Sequence, residues 1–407
     1  MLLTMYKTKF NYASISRWLS LCLTSFLLCA CSGYDMEDKI PEGGSSKKLS
    51  LGFYINVGEV EDASTNISRA TPTDGEYDPG AGYENFIDLE GGDFRIYFFS
   101  VDNKYISTFT NPVIERVDIQ NSPSSKTYVA RTSIEGKDMI DQITNGPTKI
   151  VMLANWRGQY LDDASLIPGV TTIDDLVVNA TISYGTEPWG PVLDYEHRIP
   201  LYGVMQFPGV NLVPVMLNLT GVDLHLLRAF AKVEVIQSEE SAVNIESVSL
   251  SRHNNKAYCA PLGVYHQSQY IKHTYGGDYT DSPSIPSGAL TDTELKLPFY
   301  TDQNGLRHFL IYIPEYKNTG DNMMHADQTH LNIKLENDNR KYEVEFKYYQ
   351  VPPALTGAVK EGQYFNLMRN YWYKFEVSKK ISDVDMDIQV DVLPYGIVDL
   401  RPSFGLD

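Results

Sequence analysis

The feature that most constrains this fold is a two-residue hydrophobic period that recurs along the chain. Its first instance, residues 49–57, has these apolar members: Leu49, Leu51, Phe53, Ile55 and Val57. Alternate residues of a strand lie on opposite faces, so this period predicts a half-buried β-strand. Other predicted strands are residues 94–101, 149–155, 245–250, 309–313, 331–335, 342–349, 371–377, 384–393 and 397–406. So many short strands predict an all-β protein built from β-sandwiches.

Polar and apolar stretches between these strands predict the domain organisation. Residues 59–84 and 252–304 are rich in Gly, Asp, Pro and Tyr, which is typical of exposed loops. Residues 172–184 are the best candidate for a short helix, since acidic residues occupy the predicted first turn. A composition shift near residues 218–223 predicts two domains, residues 49–220 and 221–407.

The first 31 residues have the features of an export signal. A basic stretch precedes an apolar run at residues 18–30, which is shorter than the about 20 residues that a membrane-spanning helix needs. The run ends in Leu28-Cys29-Ala30-Cys31, a lipobox pattern, so we expect lipidation of Cys31. The alternative is an ordinary secretory signal. Residues 32–48 then form a flexible tether with a Gly/Ser run.

Charge and motifs exclude several function classes. With 52 acidic and 34 basic residues the net charge is −18, which argues against binding nucleic acid. The eight histidines form no HExxH pair, and no P-loop or GxSxG motif is present, so we expect no enzyme, no cofactor and no metal. The acidic run Asp383, Asp385 and Asp387 is more often a solvated strand face than a calcium site. Cys259 is expected to be a small buried residue.

Several segments in order resemble the fimbrillin family, the subunits of type V pili in Bacteroidota. They are the lipobox, residues 49–57 followed by Ile67-Ser68-Arg69-Ala70, and residues 149–155, 199–203, 227–235, 369–375 and 387–407. Acidic residues at 35–38 resemble the signal that sends lipoproteins to the outer face of the outer membrane. The resemblance covers almost the whole chain.

This resemblance implies a fold and an assembly mechanism. It implies two transthyretin-like β-sandwich domains in series, cleavage between Arg69 and Ala70 by an arginine-specific protease, and polymerisation by strand exchange. The chain would be lipid-anchored, with palmitate, at the cell outer membrane and would enter an adhesive fimbrium after maturation. Its partners would be other pilus subunits and a host protein or glycan.

The end of the chain supplies a candidate donor strand. Five apolar residues alternate there as they do in the first strand: Val398, Leu400, Pro402, Phe404 and Leu406. Residues 397–406 could therefore fill the groove that residues 49–57 leave after cleavage. The alternative is that they form the last strand of the C-terminal domain's own sheet.

A second function class stays open. The chain could keep its lipid permanently and act as a glycan-binding or pilus-anchoring lipoprotein. The feature that favours glycan binding is a group of aromatic residues in the 252–304 insertion: Tyr258, Tyr265, Tyr270, Tyr275 and Tyr279.

Overall fold

In the computed structural model, strands dominate the part of the chain that is described. That part comprises residues 48–57, 87–88, 91–109, 113–117, 126–135, 138, 141, 143, 148–191, 197–207, 224–237, 244–262, 283–302, 304–320, 323–349, 360–380, 386–394 and 398–405. The strands of the first half are β1 Lys48–Val57, β2 Phe94–Ser100, β3 Tyr105–Thr108, β4 Val113–Val117, β5 Lys126–Glu135, β6 Thr148–Ala154, β7 Thr181–Ser183 and β8 Leu201–Phe207. The prediction of an all-β chain is confirmed.

The strands of the second half follow in chain order. They are β9 Leu224–His225, β10 Leu227–Arg228, β11 Phe230–Gln237, β12 Ile245–Leu250, β13 His253–Asn254, β14 Lys256–Tyr258, β15 Leu290–Thr291, β16 Leu295–Lys296, β17 Phe299–Thr301, β18 Arg307–Pro314, β19 His330–Leu335, β20 Lys341–Glu345, β21 Tyr371–Lys380, β22 Met386–Pro394 and β23 Val398–Gly405. A short helix, α1 Ile173–Val177, and the 3-10 turns Asp163–Ser165 and His325–Asp327 connect some of them.

Two five-stranded sheets contain most strands of the first half. One has the order β4-β5-β1-β23-β9 and the other the order β10-β8-β6-β2-β3. Strand β6 lies in the centre of the second sheet, and all seven of its residues are buried. A strand covered on both faces needs apolar residues at almost every position, which explains why its sequence is continuous rather than alternating.

The second half forms two larger sheets and two short strand pairs. The sheet orders are β17-β18-β11-β21-β22 and β16-β12-β19-β20, and the pairs are β13-β15 and β14-β7. Strands β11 and β21 run parallel to each other, whereas β11 and β18 are antiparallel. Strand β22 continues this sheet beyond β21.

Residues from both halves share one hydrophobic cluster. Strand β14 pairs with β7 from the first half, and a bridge joins Trp189 to Tyr312. The buried cluster accordingly runs from Tyr97 through Phe230 to Val377. Residues 208–223, where the sequence predicts the domain boundary, lie outside the described residues, so the division into two domains stays a prediction.

The predicted helix is present but shorter than residues 172–184. Thr172 caps α1, and its hydroxyl and the Asp175 side chain form a reciprocal capping box. The helix ends at Val177, and Thr181–Ser183 instead pairs with Lys256–Tyr258. A partner 75 residues away therefore decides the conformation here, which a local pattern cannot reveal.

The predicted loop at residues 252–304 also contains ordered pairing. Strands β13 to β17 lie within it, and β16 joins the edge of the sheet formed by β12, β19 and β20. Residues 263–282 lie outside the described residues. Within the part that the structure describes, no helix is long and apolar enough to cross a membrane.

Candidate functional site: the terminal strand pair

The first and last strands of the chain are neighbours in one sheet. Strand β1 has β5 on one side, with a ladder from Lys48 opposite Glu135 to Val57 opposite Lys126. On its other side it has β23, with a ladder from Ser50 opposite Gly405 to Val57 opposite Val398. Both ladders are antiparallel, so β1 is an internal strand whose two edges are both paired.

The register of β1 with β23 joins the two apolar series. Four of the five apolar residues of β1 lie opposite an apolar residue of β23: Leu51 with Phe404, Phe53 with Pro402, Ile55 with Leu400 and Val57 with Val398. Residues opposite each other in an antiparallel ladder share a face of the sheet. A slip of one residue would break every such match, so the period-two pattern specifies this register.

The outer edge of β23 is only partly covered. Strand β9 pairs with it at two positions, His225 with Asp399 and Leu224 with Leu400. The chain then moves to the other sheet, where Leu227 pairs with Tyr202. Among the described residues, no strand pairs with β23 beyond Leu400 on this side. Open strand edges are places where a further strand can add.

The sequence-predicted site residues fall partly within the described residues. The first strand is β1, and four of the five donor residues, from Val398 to Phe404, lie in β23. Cys31, Arg69, Ala70 and Leu406 lie outside the described residues, so lipidation, cleavage and strand exchange stay predictions. In the single chain the candidate donor strand lies beside the first strand, not in its place and not in a sheet with β21 and β22.

The other residues considered in the sequence have the following positions. Asp387 is the second residue of β22 and lies opposite Lys379, whereas Asp383 and Asp385 lie outside the described residues. Cys259 is buried as expected, and this burial raises the pKa of its thiol to about 12. Of the aromatic group in the insertion, Tyr258 lies in β14, opposite Thr181. The other members, Tyr265, Tyr270, Tyr275 and Tyr279, lie outside the described residues.

Sequence reasoning missed two buried polar clusters that join the segments carrying the family resemblance. In the first, Asn155 follows β6 with a left-handed φ of 61° and donates to the Ile199 carbonyl at 2.9 Å. In the second, Arg228 donates to the Asn370 side chain at 3.0 Å, and Asn370 has a φ of 62°. Asparagine tolerates this conformation better than most residues. An Asn directly beside a predicted strand was therefore the sequence feature that could have indicated these two clusters.

A buried ion pair extends the second cluster. Arg369 Nη2 lies 2.8 Å from Glu315 Oε2, and both side chains are almost fully buried. The Glu315 carboxylate also accepts hydrogen bonds from the backbone N–H groups of Ser284 and Arg369. Glu315 therefore joins the end of β18, the start of β21 and part of the 252–304 insertion.

Comparison with known proteins finds similarity to solved structures of fimbrial proteins. No protein-family model and no curated protein sequence matches the chain. The tip fimbrial protein Mfa3 from Porphyromonas gingivalis, with C-terminal truncation, is 11% identical with a TM-score of 0.47, and the match covers 85% of this chain and 100% of that chain. A fimbrial assembly protein from Parabacteroides distasonis is 12% identical with a TM-score of 0.41, covering 86% of this chain and 100% of that one.

A third solved structure to which the chain is similar is the fimbrial anchor protein Mfa2 from Porphyromonas gingivalis. It is 12% identical with a TM-score of 0.28, and the match covers 75% of this chain and 89% of that chain. These three solved structures are thus a tip protein, an assembly protein and an anchor protein of fimbriae.

Proposed function

We propose that this chain is a structural subunit of an adhesive cell-surface fimbria that polymerises by donor-strand exchange. In this proposal the chain is exported as a lipoprotein through Cys31 and is cut between Arg69 and Ala70. The fragment that contains β1 then leaves, and residues 397–406 of another subunit take its place. The observation that carries the proposal is the register in which the apolar residues of β1 and β23 match.

The energetics of β1 suit a strand that is held firmly until it is cut. If the five apolar side chains of β1 fill a sandwich core, they would contribute on the order of 8–15 kcal/mol in gross transfer free energy. Both edges of β1 are also paired, so its loss would leave the facing edges of β5 and β23 without partners. Once cleavage removes the covalent link, a strand of the same apolar period could replace it in the same register.

A peptide competition tests this mechanism without altering the chain. A synthetic peptide of residues 397–407 should occupy the vacated position in protein cut at Arg69 and should suppress the ladder of oligomers on a gel run without boiling. A peptide with Phe404→Asp is the matched control, because it would bring a carboxylate into the apolar series that must fill the vacated position, where it would have no partner. A peptide with Asp399→Asn should compete as well as the native sequence.

Two results would contradict the mechanism. One is a ladder that persists at saturating native peptide, and the other is equal competition by the Phe404→Asp peptide. An Arg69→Ala chain provides the control for cleavage, since it should stay monomeric with or without peptide. If that variant forms normal filaments, cleavage at Arg69 is not part of assembly.

The second candidate, a permanently lipidated glycan-binding or pilus-anchoring lipoprotein, rests on the Tyr-rich insertion. The two candidates differ in the N-terminus of the protein on the cell surface. Sequencing should find Ala70 for a polymerising subunit, whereas an acylated Cys31 would favour the second candidate.

A further inference from the structure

Three potential metal ligands meet on the outer face of the sheet formed by β16, β12, β19 and β20. His330 is the first residue of β19, and Glu343 lies in the neighbouring strand β20. The ladder pairs Asn332 with Glu343, so His330 and Glu343 are diagonal neighbours. Leu331 and Ile333, which alternate with His330, belong to the core. The period of the strands therefore places His330 and Glu343 on the face directed away from that core.

The 3-10 turn before β19 brings the third ligand back over this face. His325 Nε2 lies 2.8 Å from Glu343 Oε1. The rings of His325 and His330 stack with their centroids 4.1 Å apart. One potential ligand atom from each of the three residues lies within 4.8 Å of the other two.

The Nε2 atom of His330 gives an independent indication that a binding partner is missing from this cluster of three residues. The residue is only 4% exposed, and its Nε2 atom is buried without any hydrogen-bond partner. A buried polar atom without a partner is unfavourable and rare in folded proteins.

Among the described residues, Glu343 pairs with another of the three potential ligands, His325, and with no other charged side chain. Arg252 Nη2 lies 2.5 Å from Asp292, and its Nη1 lies 3.7 Å from Asp327, so two carboxylates offset its charge. Glu345 is engaged by Lys347 and by the Tyr364 hydroxyl. A surface cavity of about 280 Å³ lies against the three potential ligands and gives a small ion access from solvent.

We propose that His325, His330 and Glu343 bind one divalent transition-metal ion, with Zn²⁺ as the best fit. Two imidazoles and one carboxylate suit zinc, and a water molecule would complete its tetrahedral coordination. Ligand atoms around tetrahedral zinc are about 3.3–3.5 Å apart, given bonds of about 2.0–2.1 Å. His325 and Glu343 can make the necessary approach, because their side chains are 57% and 47% exposed.

The bound ion would have a definite structural effect. Strand β20 is the edge strand of its sheet, and the turn His325–Asp327 precedes the neighbouring strand β19. Coordination would link this turn to β20 in the same manner as a cross-link. The metal would therefore rigidify one end of the sheet.

Zinc titration of the full chain in competition with a chromophoric chelator tests the proposal. We expect one Zn²⁺ per chain, with affinity reduced at least about tenfold in His325→Ala and in Glu343→Gln. Glu246→Gln is the matched control, since Glu246 is 46% exposed but pairs with Lys334 instead of a histidine. Ca²⁺, which prefers oxygen ligands, should not compete.

A spectroscopic measurement separates this site from other zinc binding. Co²⁺ in the same site should give the intense visible absorption of tetrahedral coordination, and His325→Ala should remove it. The absence of stoichiometric binding, or Zn²⁺ affinity and Co²⁺ absorption that are the same in His325→Ala and Glu343→Gln as in the native chain, would overturn the proposal.

Discussion

The buried pair of Glu315 and Arg369 makes a quantitative prediction about stability. Replacing Glu315 with Ala removes the only carboxylate that the structure places against Arg369 among its described contacts, at 2.8 Å. It also removes the acceptor for the backbone N–H groups of Ser284 and Arg369. The Arg369 side chain is 1% exposed, so water cannot replace these contacts without local opening.

The expected cost follows from this burial. Removing one partner of a buried ion pair leaves an uncompensated charge and typically costs about 3–5 kcal/mol. The pair of Arg307 and Glu336 is the matched control, because its atoms are 2.9 Å apart but its side chains are 36% and 34% exposed. Exposed pairs contribute about 0–1 kcal/mol, so Glu336→Ala should have little effect.

Urea unfolding followed by circular dichroism measures both variants. The double variant Glu315→Leu with Arg369→Met should recover part of the loss, since it removes both charges and keeps the volume but still leaves two backbone N–H groups without their acceptor. If Glu315→Ala and Glu336→Ala reduce the free energy of unfolding equally, burial does not determine the contribution of this pair. If the double variant is less stable than Glu315→Ala, the uncompensated charge of Arg369 is not the reason for the stability that Glu315→Ala loses.

Two further predictions concern lipidation and pH. Cys31→Ser should abolish fatty-acid labelling and surface display, and label that remains on this variant would contradict the lipobox interpretation. Burial alone would lower the pKa of His308, but its contacts with Glu234 and Asp302 raise the pKa above the ordinary value. The stabilisation that His308 contributes is therefore complete below about pH 6.5, its pKa in the unfolded chain, and is lost as the pH rises through the raised pKa. The unfolding midpoint of the native chain should decrease over this pH range, whereas the midpoint of His308→Gln should not show this decrease.

Sequence patterns predicted the strands whose burial follows a simple period. Residues 245–250 were predicted as a strand, and the structure has Ile245–Leu250 with the same bounds. The apolar run at residues 149–155 became β6, in the central position expected for a continuous run. In both cases the side chains themselves determine which faces can be exposed, so local sequence is sufficient.

Strands that depend on distant partners were missed or misread. Strands β3, β4 and β5 were not predicted, although β5 is ten residues long. Its sequence, KTYVARTSIE, has apolar residues too scattered for a clear period. It forms a strand because β1 and β4 pair with its two edges. The stabilisation of β5 as a strand therefore comes from its pairing with β1 and β4 and not from the sequence of β5 alone.

The buried polar clusters were missed, and the proposed metal site was not anticipated, for the same physical reason. Arg369 and Glu315 are separated by 54 residues in the chain. The three ligands are drawn from a turn and from two strands whose antiparallel register brings them together. No spacing motif records such a register, so the sequence predicted no metal at His325 and His330.

The register of the terminal strands links the two events that the proposed assembly needs. In the single chain, β23 has a long ladder with β1 on one side, whereas on the other side the described residues form two pairs, both with β9. If cleavage allows β1 to leave, β23 loses most of its backbone partners at the same moment. Under the proposed function, the event that vacates the acceptor position would therefore also release the donor strand, and an uncut chain would expose neither. This coupling would keep the subunit monomeric until the protease acts.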